Sequence, residues 1–134
     1  MQDRFRFRVW WKPDYEEPKM LYNAEQTYDF LKGAPEIIPA DSFGEVLEDK
    51  DFIVMQCTGL KDKNGKLIYE GDIVKIFHMS GTMQGRLFKD VVEWNDLRCR
   101  FDTENYGVFD EDDVYEVIGN IYENPELLTT KNPS

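Results

Sequence analysis

Apolar and polar positions alternate strictly at the start of the chain and later gather into short runs divided by turn residues. From Arg4 to Trp10, Phe5, Phe7 and Val9 fall on one face and Arg4, Arg6 and Arg8 on the other. That is the period-two signature of a half-buried strand, with a core-facing Phe row and an outer Arg row. "KPDYEEP", bounded by Pro13 and Pro18, reads as a turn, and "KMLY" as a short strand pairing back. The helical pattern lies at Asn23–Gly33, where Ala24, Tyr28 and Leu31 recur at helical spacing. Asn23 serves there as the cap, Gln26 stands at the third helical position and Gly33 is the stop.

"GAPEIIPADSFGE" is a loop punctuated by Pro and Gly, a natural boundary. It separates an N-terminal β region with a short helix (residues 1–44) from a β core (residues 45–128), and residues 129–134 form a frayed tail. The core holds apolar runs at Asp51–Thr58, Ile73–Met79, Arg86–Trp94, Leu97–Asp102 and Val114–Tyr122. "HMSGTMQG" and "NDLR" read as hairpin loops, and "NPELL" as a helical turn capped by Asn124 and opened by Pro125. Short strands at this spacing predict a mainly β fold: a small antiparallel sheet or SH3-like barrel, with one short helix.

The stretch "TGLKDKNGKLIYEGDIV" (Thr58–Val74) carries glycines six residues apart, at Gly59, Gly65 and Gly71. A calcium loop started at Asp62 would place Lys66 at position 5, Leu67 at 6 and Ile73 at 12. Oxygen ligands, glycine and glutamate are needed there, so the pattern fails. No phosphate-loop pattern is present either. Asn64-Gly65 predicts a type I′ turn, with positive φ at both central residues, and "EGD" a second tight turn launching a strand.

Composition narrows the function classes. Hydrophobic residues make up 41% of 134, with 9 Phe, 7 Tyr and 3 Trp, enough for one packed domain. No apolar run approaches membrane-spanning length and the N-terminus lacks a signal peptide's apolar core, so a soluble cytoplasmic protein without membrane contact is expected. Cys57 and Cys99 both sit in expected strands and read as buried, reduced thiols. His78 is the sole histidine, which leaves no multi-His metal site, and nothing in the spacing pairs it with a cysteine nucleophile. No catalytic motif, metal set or cofactor signature is found, and a non-enzymatic protein is expected.

The net charge is −11. Twelve acidic residues between Asp90 and Glu126 face only Arg98 and Arg100, which makes that segment −10. Such acidity disfavours phosphate-driven nucleic-acid binding, aids solubility and suits a basic protein surface. The cluster Asp110, Glu111, Asp112 and Asp113 reads as a solvated loop, because four neighbours in sequence do not converge on a metal. "RFRFR" interleaves cations and aromatics, yet its period of two sends them to opposite faces, so they cannot serve one nucleic-acid strand together.

Three blocks add a resemblance. "MQCTGLKDKNGKLIYEGDIVKI" (Met55–Ile76), "EVIGNIYENPELL" (Glu116–Leu128) and the opening "FRFRVW" with "KMLY" resemble the YopX family. Cys57 stands where the family's pattern has an aromatic, and Trp11 interrupts the usual end of the first strand. The resemblance implies a small β-rich accessory factor of a phage or prophage of Gram-positive bacteria; it supplies no activity, cofactor or catalytic residue. The expected function is binding of a host or phage protein. The expected surface comprises Lys61, Asp62, Lys63, Asn64, Tyr69, Glu70 and Asp72, with Asp110, Glu111, Asp112 and Asp113. Alternatives are nucleic-acid binding through Arg4, Arg6 and Arg8, or acidic mimicry of DNA. Short edge strands and charge asymmetry also invite self-association.

Overall fold

The computed structural model describes residues 3–25, 42–79 and 81–129. Among the described residues the fold is mainly β, with two antiparallel sheets and one short α-helix. Strands are β1 (Phe7–Trp11), β2 (Lys19–Tyr22), β3 (Phe52–Lys61), β4 (Leu67–Tyr69), β5 (Asp72–Phe77), β6 (Leu87–Asn95), β7 (Arg100–Thr103), β8 (Gly107–Val108) and β9 (Val114–Asn120), with α1 at Phe43–Glu48. One sheet has the order β2-β1-β3-β4, and the other β8-β7-β6-β5-β9. The chain divides into two compact units, Met1–Cys57 and Thr58–Ser134, and the division falls inside β3.

In the first unit, β1 pairs with β2 on one side and β3 on the other, with Val9 opposite both Leu21 and Val54. Val9, Trp11, Leu21 and Phe52 therefore share a face, and with Ala24 and Val46 they form its core. Phe7 packs against that cluster from the same face, its ring 4.9 Å from Phe43. The outer Arg row does not form. Arg8 is only 2% exposed, its guanidinium 5.9 Å from the Tyr22 ring centroid. Arg6 pairs with Asp3 at 3.1 Å, and Phe5 leaves the apolar row for an exposed 3₁₀ turn. Alternation fixes which residues share a face but not whether that face meets water.

Asn23 does not cap a helix. Its φ is 58°, left-handed and not the extended conformation of an N-cap. The next two residues instead prolong the hairpin: Ala24 N–H donates to the Phe7 carbonyl, and Phe7 N–H donates to Glu25 Oε1. The rest of that expected helix, from Gln26 to Gly33, lies outside the described residues. α1 forms at the end of the stretch read as a loop. Ser42 Oγ accepts the Glu45 N–H at 3.1 Å, the N-cap bond of an S-x-x-E pattern.

In the second unit, Ile68, Val74, Ile76 and Val92 form the core, and Tyr106, Phe109, Tyr115 and Val117 pack on it. Val74 and Ile76 alternate along β5 and Val92 lies on β6, both in runs expected as strands, whereas Ile68 comes from β4, inside the stretch read as turns. Both expected hairpin loops connect antiparallel neighbours, β5 with β6 and β6 with β7. A bulge between Ile73 and Val74 shifts the β5–β9 register, leaving Ile118 without an opposite residue. Cys99 departs from expectation: it is exposed, in the β6–β7 turn, with φ 53°, whereas Cys57 is fully buried. "PELL" forms the expected helical turn. Asn124 makes no cap bond to it; its Oδ1 accepts the Asn120 N–H instead.

Candidate functional site

The site grows from the β3–β4 turn. Among residues 62–66, Gly65 alone has positive φ, at 82°, so Asn64-Gly65 is not a type I′ turn. Gly65 N–H donates to the Asp62 carbonyl, and Asp62 N–H donates to the Lys66 carbonyl across the hairpin. Asp62 explains the difference. Its Oδ1 accepts N–H bonds from Asn64 and Lys66, both at 2.9 Å, which holds Asn64 right-handed and leaves only Gly65 left-handed.

The second oxygen of Asp62 reaches further. Oδ2 accepts the Val117 N–H of β9 at 2.9 Å, and Lys63 N–H donates to the Tyr115 carbonyl at 2.9 Å. Around this seam, Asn64 Nδ2 donates to Glu116 Oε2 at 3.5 Å, and Lys63 Nζ pairs with the same oxygen at 3.3 Å. Burial pushes the Asp62 carboxyl up, but the N–H groups of Val117, Lys66 and Asn64, with the Lys66 charge, outweigh it. The carboxyl is held below its usual range.

The second expected stretch, Asp110–Asp113, enters β9 from its N-terminal side. Asp110 Oδ1 accepts the Asp112 N–H, and the Asp110 N–H donates to Tyr115 Oη. Burial raises the Tyr115 hydroxyl above its ordinary range, with the Asp113 and Asp110 charges adding to it; the Asp110 N–H acts in the opposite sense. Asp113 is not the solvated residue expected of it. The register that sets Phe77 against Val114 brings His78 alongside Asp113, and His78 Nδ1 lies 2.9 Å from Asp113 Oδ2. Asp113 Oδ1 also accepts the Met79 N–H. The imidazole stands across the Phe88 and Tyr106 rings, with Nε2 buried and lacking a hydrogen-bond partner. This pair ties two segments together and presents no open nitrogen.

Between the two stretches lies a recess of about 280 Å³. Leu60, Ile68, Phe109 and Tyr115 supply its apolar walls, the last two with rings 4.9 Å apart. Asp110, Glu111, Asp113 and Lys61 complete its rim.

The expected surface thus separates into two roles. Lys61, Lys63, Asn64, Asp110, Glu111 and Asp112 are exposed. Asp62, Tyr69 and Asp72 are buried and structural, with Tyr69 N–H donating to Asp72 Oδ2 at 2.7 Å; Glu70 is half-buried. Gly71 is held on both sides, by its N–H to the Val92 carbonyl and its carbonyl to the Ile121 N–H. The four apolar wall residues were not among the residues expected at the surface. Their spacing in sequence is that of core positions, and only the meeting of β3, β4 and β9 shows them opening on a recess. Among the described residues, no group of three or more His, Cys, Asp or Glu is placed to hold a metal ion, and no helix is long and apolar enough to cross a membrane.

The family model described as YopX protein matches residues 6–129. A crystal structure of protein EF1440 from Enterococcus faecalis is 34% identical, over 92% of this chain and 96% of that one, with a TM-score of 0.59. No curated protein matches.

Proposed function

The chain belongs to the YopX family, and from that membership we propose a non-catalytic accessory protein of a phage or prophage. It acts in the host cytoplasm by binding a host or phage protein. The observation that supports this reading is the recess: two stretches about fifty residues apart in sequence meet there, and apolar side chains line a cavity rimmed by charge. Concave apolar sites with a few polar groups are where binding concentrates.

Affinity capture with the intact chain, followed by mass spectrometry, tests it. Leu60→Asp and Asp110→Asn should each lose a captured protein that the wild type retains. Identical captures by all three would remove the recess from consideration. The nucleic-acid reading needs Arg4, Arg6 and Arg8 on one open face, and the burial of Arg8 weighs against it. DNA mimicry would rest on the exposed Asp110, Glu111 and Asp112, since Asp113 is paired with His78.

A further inference from the structure

We infer that the recess accepts a lysine or arginine side chain of the partner; this rests on the protein-binding reading above. The walls are the first argument. Leu60 is 45% exposed, and it lines the recess together with Ile68 and the Phe109–Tyr115 ring pair. A cavity of about 280 Å³ is small for an independent ligand, but it suits the apolar stem of one long side chain.

Charge is the second argument. Three carboxylates stand on the rim against the one ammonium of Lys61. Asp113 is held by His78 and the Met79 N–H, and Asp110 by the Asp112 N–H. Glu111 is exposed and makes no hydrogen bond or ion pair among the described residues. A cation whose stem lay on Leu60 and the two rings would bring its head to Asp110 and Glu111. A neutral apolar group would cover the Asp110 carboxylate without compensating its lost water. An acidic group would be repelled. The aromatic faces favour a cation once more.

Three synthetic peptides test this, nine residues long and identical except at three positions, which are all arginine, all glutamine or all glutamate. Each is titrated into the isotopically labelled intact chain while the amide signals of Leu60, Phe109 and Tyr115 are followed. The arginine peptide should shift those signals, and the other two should not. Asp110→Asn with Glu111→Gln should weaken its binding roughly three- to tenfold. The asparagine keeps an oxygen for the Asp112 N–H, so the turn survives, and an otherwise unchanged spectrum checks the fold. Lys61→Glu should tighten binding. Equal binding of the glutamine peptide at the same residues overturns the charge assignment and leaves the protein-binding reading standing. Shifts located elsewhere, or none with any peptide, overturn the cation assignment of the recess, and the capture experiment decides the protein-binding reading separately.

Discussion

Val117 N–H donates to Asp62 Oδ2 at 2.9 Å, so a side chain from the β3–β4 turn occupies a hydrogen-bonding position on β9, the terminal strand of its sheet. Exposed strand edges invite pairing with other chains, and a buried carboxylate set against the edge blocks that approach. Asp62→Ala should destabilise the chain by about 2–4 kcal/mol, since three N–H groups lose a charged acceptor. Hydrogen exchange at Val117 should quicken more than at Val74. Unchanged exchange there would contradict the role given to Asp62.

The same residue sets an acid limit. Its folded carboxyl lies below the ordinary value. The stability it contributes is therefore present above the unfolded carboxyl range, near pH 4, and is lost as pH falls through the lower folded value. Asp62→Asn should be less stable than the wild type at pH 7 and should show a shallower loss between about pH 4 and pH 2. Parallel acid limbs in urea titrations would refute this.

Asp90 holds a second turn. Only 2% exposed, it accepts N–H bonds from Asn105 and Tyr106 on Oδ2, and from Val91 and the Asn105 side chain on Oδ1. Asp90→Ala should cost about 3 kcal/mol. Asp90→Asn should not rescue it, because its amide nitrogen would face donors. Denaturant midpoints of the two variants decide this, and full recovery by asparagine would count against the geometry.

His78, the sole histidine, gives a clean spectroscopic probe. A carboxylate only accepts, so Nδ1 carries the hydrogen toward Asp113 and the neutral ring is the Nδ1–H tautomer. Two-bond ¹⁵N spectra at pH 8 should report that form, and Asp113→Ala should remove the preference and cost about 2 kcal/mol. An Nε2–H ring in the wild type would contradict the pairing.

The two cysteines should react differently. Cys99 is exposed and Cys57 fully buried, so a thiol reagent should modify one group in the native chain and two after denaturation. Cys99→Gly should stabilise by up to about 1 kcal/mol, because glycine adopts φ 53° without penalty. Fast modification of both thiols in the folded protein would place Cys57 wrongly.

Strand existence was legible where turn residues bracket apolar runs. "KMLY" is β2 to the residue, and Val114, expected to open the last strand, opens β9. The helix at Phe43–Glu48 was less legible. Ser42 and Glu45 form an S-x-x-E capping pair, but the prolines before them gave the stretch the look of a loop. Asn23 looked like a cap because asparagine suits caps, and it suits left-handed turns equally well. Turn type failed at Asn64 for a related reason. The dipeptide sets a preference, and the Asp62 side chain overrides it with two bonds to the following backbone.

What the sequence determined by itself is local or periodic: which residues form strands, which share a face, where the chain turns, and the family signature running through Met55–Ile76 and Glu116–Leu128. Tertiary structure alone decided which faces meet water, as at Arg8, and which carboxylates are spent on backbone, as at Asp62, Asp72 and Asp90. It alone brought Leu60 and Ile68 beside Phe109 and Tyr115. The physical reason is range. Alternation and turn chemistry act over a few residues, whereas burial and charge pairing depend on strand order and register, which set side chains together across roughly fifty intervening positions.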